Sequence, residues 1–115
     1  MANSALFMGW NRAIAGREQQ AMDLFMKCLE YYGQLQSDGK IESFEPVILS
    51  AHGGDLNGFV LLRGDVDKLE AIRQEETFIS YSTEANFILE GFGLIRGYIG
   101  DSITEAFSEW AKYIR

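Results

Sequence analysis

Ile41-Glu42-Ser43-Phe44-Glu45-Pro46-Val47-Ile48-Leu49-Ser50, followed across the loop Ala51 to Gly58 by Phe59-Val60-Leu61-Leu62-Arg63, decides the fold. The first run alternates. Ile41, Ser43, Glu45, Val47 and Leu49 share one side of an extended chain, and Glu42, Phe44, Pro46, Ile48 and Ser50 share the other. Pro46 cannot donate to a ladder, so this strand belongs at a sheet edge or bends there. The second run is almost continuously apolar, the pattern of a strand covered on both faces. Between them, Gly53-Gly54 and Asn57-Gly58 favour the positive-φ turns of a hairpin loop.

Toward the N-terminus, Ala21, Leu24, Phe25, Cys28, Leu29, Tyr32 and Leu35 recur at three- and four-residue spacings, predicting a long helix with one apolar stripe. Asp38-Gly39 supplies its stop. Ahead of that helix, Leu6-Phe7-Met8-Gly9-Trp10 reads as a strand, and Ala13 to Gly16 as the turn between them. Toward the C-terminus, Asp65 caps a second helix with Val66, Leu69 and Ile72 inward. Phe78, Ile79, Tyr81, Ala85 and Phe87 suggest a further short helical segment. The last strand should lie within Ile88 to Ile99, where Phe92, Leu94, Arg96 and Tyr98 alternate with Gly91, Gly93, Ile95 and Gly97. Glycines along one side there suggest a close approach by a helix or a strongly coiled sheet. Ser102-Ile103-Thr104-Glu105 reads as a capping box. It opens a final helix with Ile103, Ala106, Phe107, Trp110 and Ile114 on one face, able to seal a sheet edge, cover a barrel mouth or reach onto a partner.

The sum is βαββαβ: an α+β, ferredoxin-like domain over residues 1–115, with an antiparallel four-stranded sheet and an added C-terminal helix. Its strands are apolar on both faces. The chain's helices cover one face, and a second copy is the simplest cover for the other, so a homodimer is expected.

Composition narrows the partners. The 115 residues hold 17 acidic and 10 basic side chains, a net charge of -7, and are 47% hydrophobic. That field repels phosphate backbones, so no nucleic-acid partner is expected. No run approaches the roughly 20 apolar residues that cross a bilayer, so no membrane partner is expected. The opening Met1 to Leu6 lacks the basic and long apolar regions of a signal peptide. With Cys28 the sole cysteine, a cytoplasmic location is the expectation.

Leu6 to Trp10, the long helix, Ile41 to Arg63, and Phe92-Gly93-Leu94-Ile95-Arg96-Gly97-Tyr98 together resemble the dimeric α/β-barrel superfamily, near uncharacterised bacterial YCII-like proteins. The resemblance covers about residues 4 to 100. It implies strand order 4-1-3-2, helices on one face of the sheet and dimer contact through the other. Cofactor-free monooxygenases, haem-degrading enzymes, isomerases and proteins without known activity share this architecture, and fold does not choose among them. YCII-like members carry a histidine–aspartate pair near the sheet, whereas the only histidine here, His52, falls in the hairpin loop.

The candidate site residues follow from chemistry. His52 and Asp55 could share a proton over a pocket, as weak acid–base candidates; the plainer reading is an exposed loop. Arg63 and Arg96 each interrupt an apolar strand and could clamp a ligand carboxylate. Pairing with Glu45 or Glu90, or exposure at strand ends, would explain them equally. Trp10, Phe92 and Tyr98 could line an apolar pocket, with Asn11 at its rim, or serve only as core and interface. Cys28 on the apolar stripe reads as a small buried hydrophobe. No cluster suggests a metal, and no cofactor motif appears. Three functions stay open: a small-ligand-binding dimer, a cofactor-free monooxygenase or isomerase acting on a small aromatic substrate, and an acidic interaction module.

Overall fold

The computed structural model describes residues 2–114. Its main sheet has four antiparallel strands in the order β3-β4-β1-β6. These are β1 Ser4–Trp10, β3 Ser43–Ile48, β4 Gly58–Gly64 and β6 Gly93–Tyr98. Counted along the chain, that is the expected 4-1-3-2 order of a ferredoxin-like sheet. Two further strands, β2 Arg12–Ala13 and β5 Leu89–Glu90, pair as a separate small ladder that the sequence pattern did not indicate. The helices are α1 Glu18–Ser37, α2 Val66–Arg73, α3 Glu76–Ile88 and α4 Ser102–Ala111. None is long and apolar enough to cross a membrane.

Register separates the two faces. Leu6 stands opposite Leu62 and Arg96, Met8 opposite Val60 and Leu94, and Phe44 opposite Leu62. This face packs on the helices. Leu6, Met8, Val60 and Leu62 join Tyr32 and Leu35 of α1, Leu69 and Ile72 of α2, and Phe78 of α3 in one core. All seven stripe positions of α1 pack into that core or into the adjoining cluster of Leu24, Ala85 and Ile88. The hydrophobic effect acting on this single stripe is what docks the long helix.

Pro46 lies on β3, an edge strand, as its missing donor requires. Gly39 ends α1 at φ 76°, where its amide donates to the Gln36 carbonyl. The Asp65 carboxylate accepts from the amides of Asp67 (3.1 Å) and Lys68 (3.3 Å), capping α2. The segment after α2 is longer than its periodicity suggested. Phe78 and Ala85 face inward, but Ile79 and Phe87 are exposed.

Two local expectations are corrected. Ser102 is the first residue of α4 rather than its cap, and its hydroxyl instead bridges the Ile99 amide (2.9 Å) and carbonyl (2.7 Å). A serine hydroxyl closes such a local turn as readily as it caps a helix. The β6 glycines meet no helix. A Cβ at Gly93 would touch nothing within 4 Å, and one at Gly97 would touch only Ala5. Both stand on the uncovered face, where no layer approaches them.

That uncovered face carries Phe7, Phe59, Leu61, Val47 and Ile95, with Phe7 and Phe59 stacked at 5.3 Å. Ile95 is 64% exposed. The apolar side of α4 is also open: Phe107 and Trp110 meet in a tilted contact at 5.2 Å and remain exposed.

Candidate functional site

A cavity of about 610 Å³ lies between the helix-covered side of the sheet and the helices α1 and α3. Its sheet wall is Met8, Trp10 and Val60, with Phe92 just ahead of β6, and its helix wall includes Phe25, Cys28, Tyr31, Tyr32, Tyr81 and Ala85. Met22, Met26 and Ile48, all exposed, belong to the same lining. The only charged lining residue among those described is Glu18, and no Lys, Arg or His joins it. The size suits a small organic ligand, and so does an apolar wall with few polar groups.

Local chemistry fixes the wall. Trp10 ends β1 and meets Phe25 edge-to-face at 5.9 Å. Gly58 stands opposite it, and a Cβ there would come within 2.6 Å of the indole, so the strand leaves the ring its room by carrying glycine. Tyr31 packs edge-on against Tyr81 at 5.7 Å.

Two hydroxyl groups of the wall have defined partners. Tyr31 Oη donates to Glu75 Oε1 at 2.7 Å, and Lys40 Nζ donates to Glu75 Oε2 at 3.0 Å. Burial, and then the bond to Glu75, push the Tyr31 phenol up. The same bond, assisted by Lys40 and opposed by partial burial, holds the Glu75 carboxyl below the usual carboxylate range. Tyr32 Oη donates to Met8 Sδ at 3.3 Å, and burial raises its pKa. Burial pushes the Cys28 thiol up to about 11, partly offset by the neighbouring Tyr32 hydroxyl. A thiol so protonated is a wall group rather than a nucleophile.

Among the residues singled out from sequence, Trp10, Phe92 and Cys28 line the cavity, and His52, Asp55, Asn11, Arg63, Arg96 and Tyr98 stand elsewhere. Arg63 projects on the opposite, uncovered face and pairs with Glu45 at 2.9 Å. Arg96 shares the face of Leu6 but lies on the edge strand. Its Nε donates to Ser4 Oγ at 3.3 Å, and its guanidinium sits 4.4 Å over the ring of Tyr98. Asn11 Oδ1 accepts from Asn57 Nδ2 at 2.6 Å, tying the end of β1 to the hairpin loop. His52 and Asp55 are both exposed, and His52 Nδ1 lies 3.0 Å from the Ser50 carbonyl.

Sequence periodicity missed Tyr31. It stands three residues after Cys28 and four before Leu35, on the flank of the same stripe, so helical spacing could have found it. Tyr81 and Ser82 reach the wall only because α3 crosses beside α1, which no local pattern encodes.

No family model matches the sequence, and no curated protein matches it. Solved structures do match. The hydroxynitrile lyase of Passiflora edulis superposes with a TM-score of 0.64 at 10% identity, covering 88% of this chain and 97% of that one. A dimeric Bacteroides fragilis protein of unknown function and ferredoxin-like fold gives 0.59 at 10% identity, over 84% and 96%. SnoaB, a cofactor-independent oxygenase of Streptomyces nogalater, gives 0.52 at 14% identity, over 86% and 93%. What these share with the present chain is the ferredoxin-like fold.

Proposed function

We propose that this chain, as one ferredoxin-like domain of the dimeric α/β-barrel superfamily near the YCII-like proteins, binds a small apolar ligand in the cavity of each protomer. The observation that carries this reading is the cavity itself: about 610 Å³ walled by Trp10, Phe25, Tyr81 and Phe92. Its rim of exposed Met22, Met26 and Ile48 opens it to solvent, so a bound apolar ligand would take apolar wall out of water. Pairing through the uncovered face of Phe7, Phe59, Leu61 and Ile95 leaves the cavity free, since it lies on the opposite side of the sheet.

The likeness to a cofactor-independent oxygenase and a hydroxynitrile lyase supports a second reading, catalysis in the same cavity. The wall offers such a reaction hydroxyl groups and Glu18 but no imidazole. Binding is therefore the better supported function, and the aromatic wall favours it over a purely structural role.

Trp10 reports on the cavity. In a Trp110→Phe background its emission should change saturably when neutral aromatic compounds such as pyrene are added, with one ligand per protomer by native mass spectrometry. An emission that never saturates up to the solubility limit, together with no bound mass, would overturn the reading.

A further inference from the structure

We infer that Tyr31, oriented by Glu75, makes this cavity selective for neutral ligands bearing a hydroxyl donor and adverse to carboxylates. This inference rests on the cavity being a ligand site. Tyr31 lines the cavity, and its single proton is committed to the Glu75 carboxylate at 2.7 Å. A phenol that donates in one direction retains lone pairs, so its remaining capacity is that of an acceptor. The anionic partner polarises that oxygen further, because hydrogen bonds in a chain strengthen one another.

A ligand hydroxyl donating to Tyr31 would complete the sequence ligand–Tyr31–Glu75, and Lys40 at 3.0 Å holds the far end of the carboxylate. Tyr32 is arranged in the same sense, since its proton is given to Met8 Sδ. The Tyr81 and Ser82 hydroxyls can serve as donor or acceptor, so they do not set the preference. A carboxylate would meet the opposite conditions. To bond it, Tyr31 would have to turn its proton away from Glu75 and forfeit a charge-assisted bond. The ligand's charge would also be desolvated in a wall whose one charged residue is Glu18. Thus the arginine clamp sought in Arg63 and Arg96 is absent from the described lining, and the polar device present there selects the other ligand class.

The test is a matched fluorescence titration with pyrene, 1-hydroxypyrene and 1-pyrenecarboxylate at about pH 6, where the phenol is neutral and the carboxylate ionised. 1-Hydroxypyrene should bind about fivefold or more tighter than pyrene, the factor that about one net hydrogen bond gives. The carboxylate should bind more weakly than pyrene. Tyr31→Phe keeps the ring against Tyr81 and should abolish the 1-hydroxypyrene advantage while leaving pyrene affinity within about twofold. Glu75→Gln, a change in a residue outside the lining, should narrow the gap between 1-hydroxypyrene and the carboxylate. Circular dichroism checks that both variants are folded. Saturable pyrene binding with no preference for the hydroxyl, or a preference that survives Tyr31→Phe, would overturn this inference and leave the binding reading standing. Failure of all three probes to bind would overturn both.

Discussion

Replacing Ile95 by aspartate should split the proposed dimer, and the size of the effect follows from the protomer. Ile95 stands opposite Phe7 on the uncovered face and is 64% exposed. A fully exposed isoleucine presents roughly 180 Å², so about 115 Å² awaits cover, worth about 3 kcal/mol at 25 cal/mol per Å². A two-fold interface buries that residue twice, for about 6 kcal/mol per dimer, or a weakening of about ten-thousandfold when the contact is lost. Aspartate adds an unpaired charge among Phe7, Phe59 and Leu61, which makes the loss larger. Light scattering at low micromolar concentration should give about twice the 13.0 kDa chain mass for the wild type and the single-chain mass for Ile95→Asp. The helix-covered side of the sheet is untouched, so the circular dichroism spectrum should not change. A wild-type monomer, or an Ile95→Asp protein that remains dimeric, would refute the argument that this face is paired.

Three further outcomes are expected. Gly58→Ala places a methyl within 2.6 Å of the Trp10 indole, so it should shift Trp10 emission, weaken pyrene binding and cost about 1–3 kcal/mol in a urea titration. Asp65→Ala removes the acceptor for two amides of α2 and should cost about 1 kcal/mol, read as a lower Tm in calorimetry. The raised thiol pKa gives a pH dependence of definite sign. The folded Cys28 titrates near 11 against 9.0 when free, so the stability it contributes is fully present below pH 9 and is lost as pH rises through 11. Cys28→Ala should flatten that alkaline loss in denaturant titrations, and native Cys28 should alkylate far more slowly than the unfolded chain at pH 8.

How far the sequence reached depended on the range of the interaction involved. The α1 stripe from Ala21 to Leu35, the Asp65 cap, the Gly39 stop and the edge position of Pro46 were all legible. Each is decided by the spacing or backbone chemistry of residues within a few positions of one another. The sheet order was expected only through the resemblance to ferredoxin-like barrel proteins, and the fold matches it. The Ser102 capping box failed because a hydroxyl has two local ways to be satisfied, and the pattern Ser-x-x-Glu does not choose between them. The site was only half legible. Trp10 at the end of β1 and Phe92 just ahead of β6 announced themselves by bulk, but nothing local says which partner an arginine will find. Arg63 was drawn to Glu45 across the β3–β4 pair, and Arg96 to Ser4 and Tyr98 at the other edge. Only the crossing of α1 over α3, and the placement of Glu75 just ahead of α3, brought Tyr31, Glu75 and Lys40 together from positions 31, 75 and 40. Periodicity determines which face of an element is apolar. The meeting of side chains from distant elements is set by how those faces pack, and that is a property of the folded chain alone.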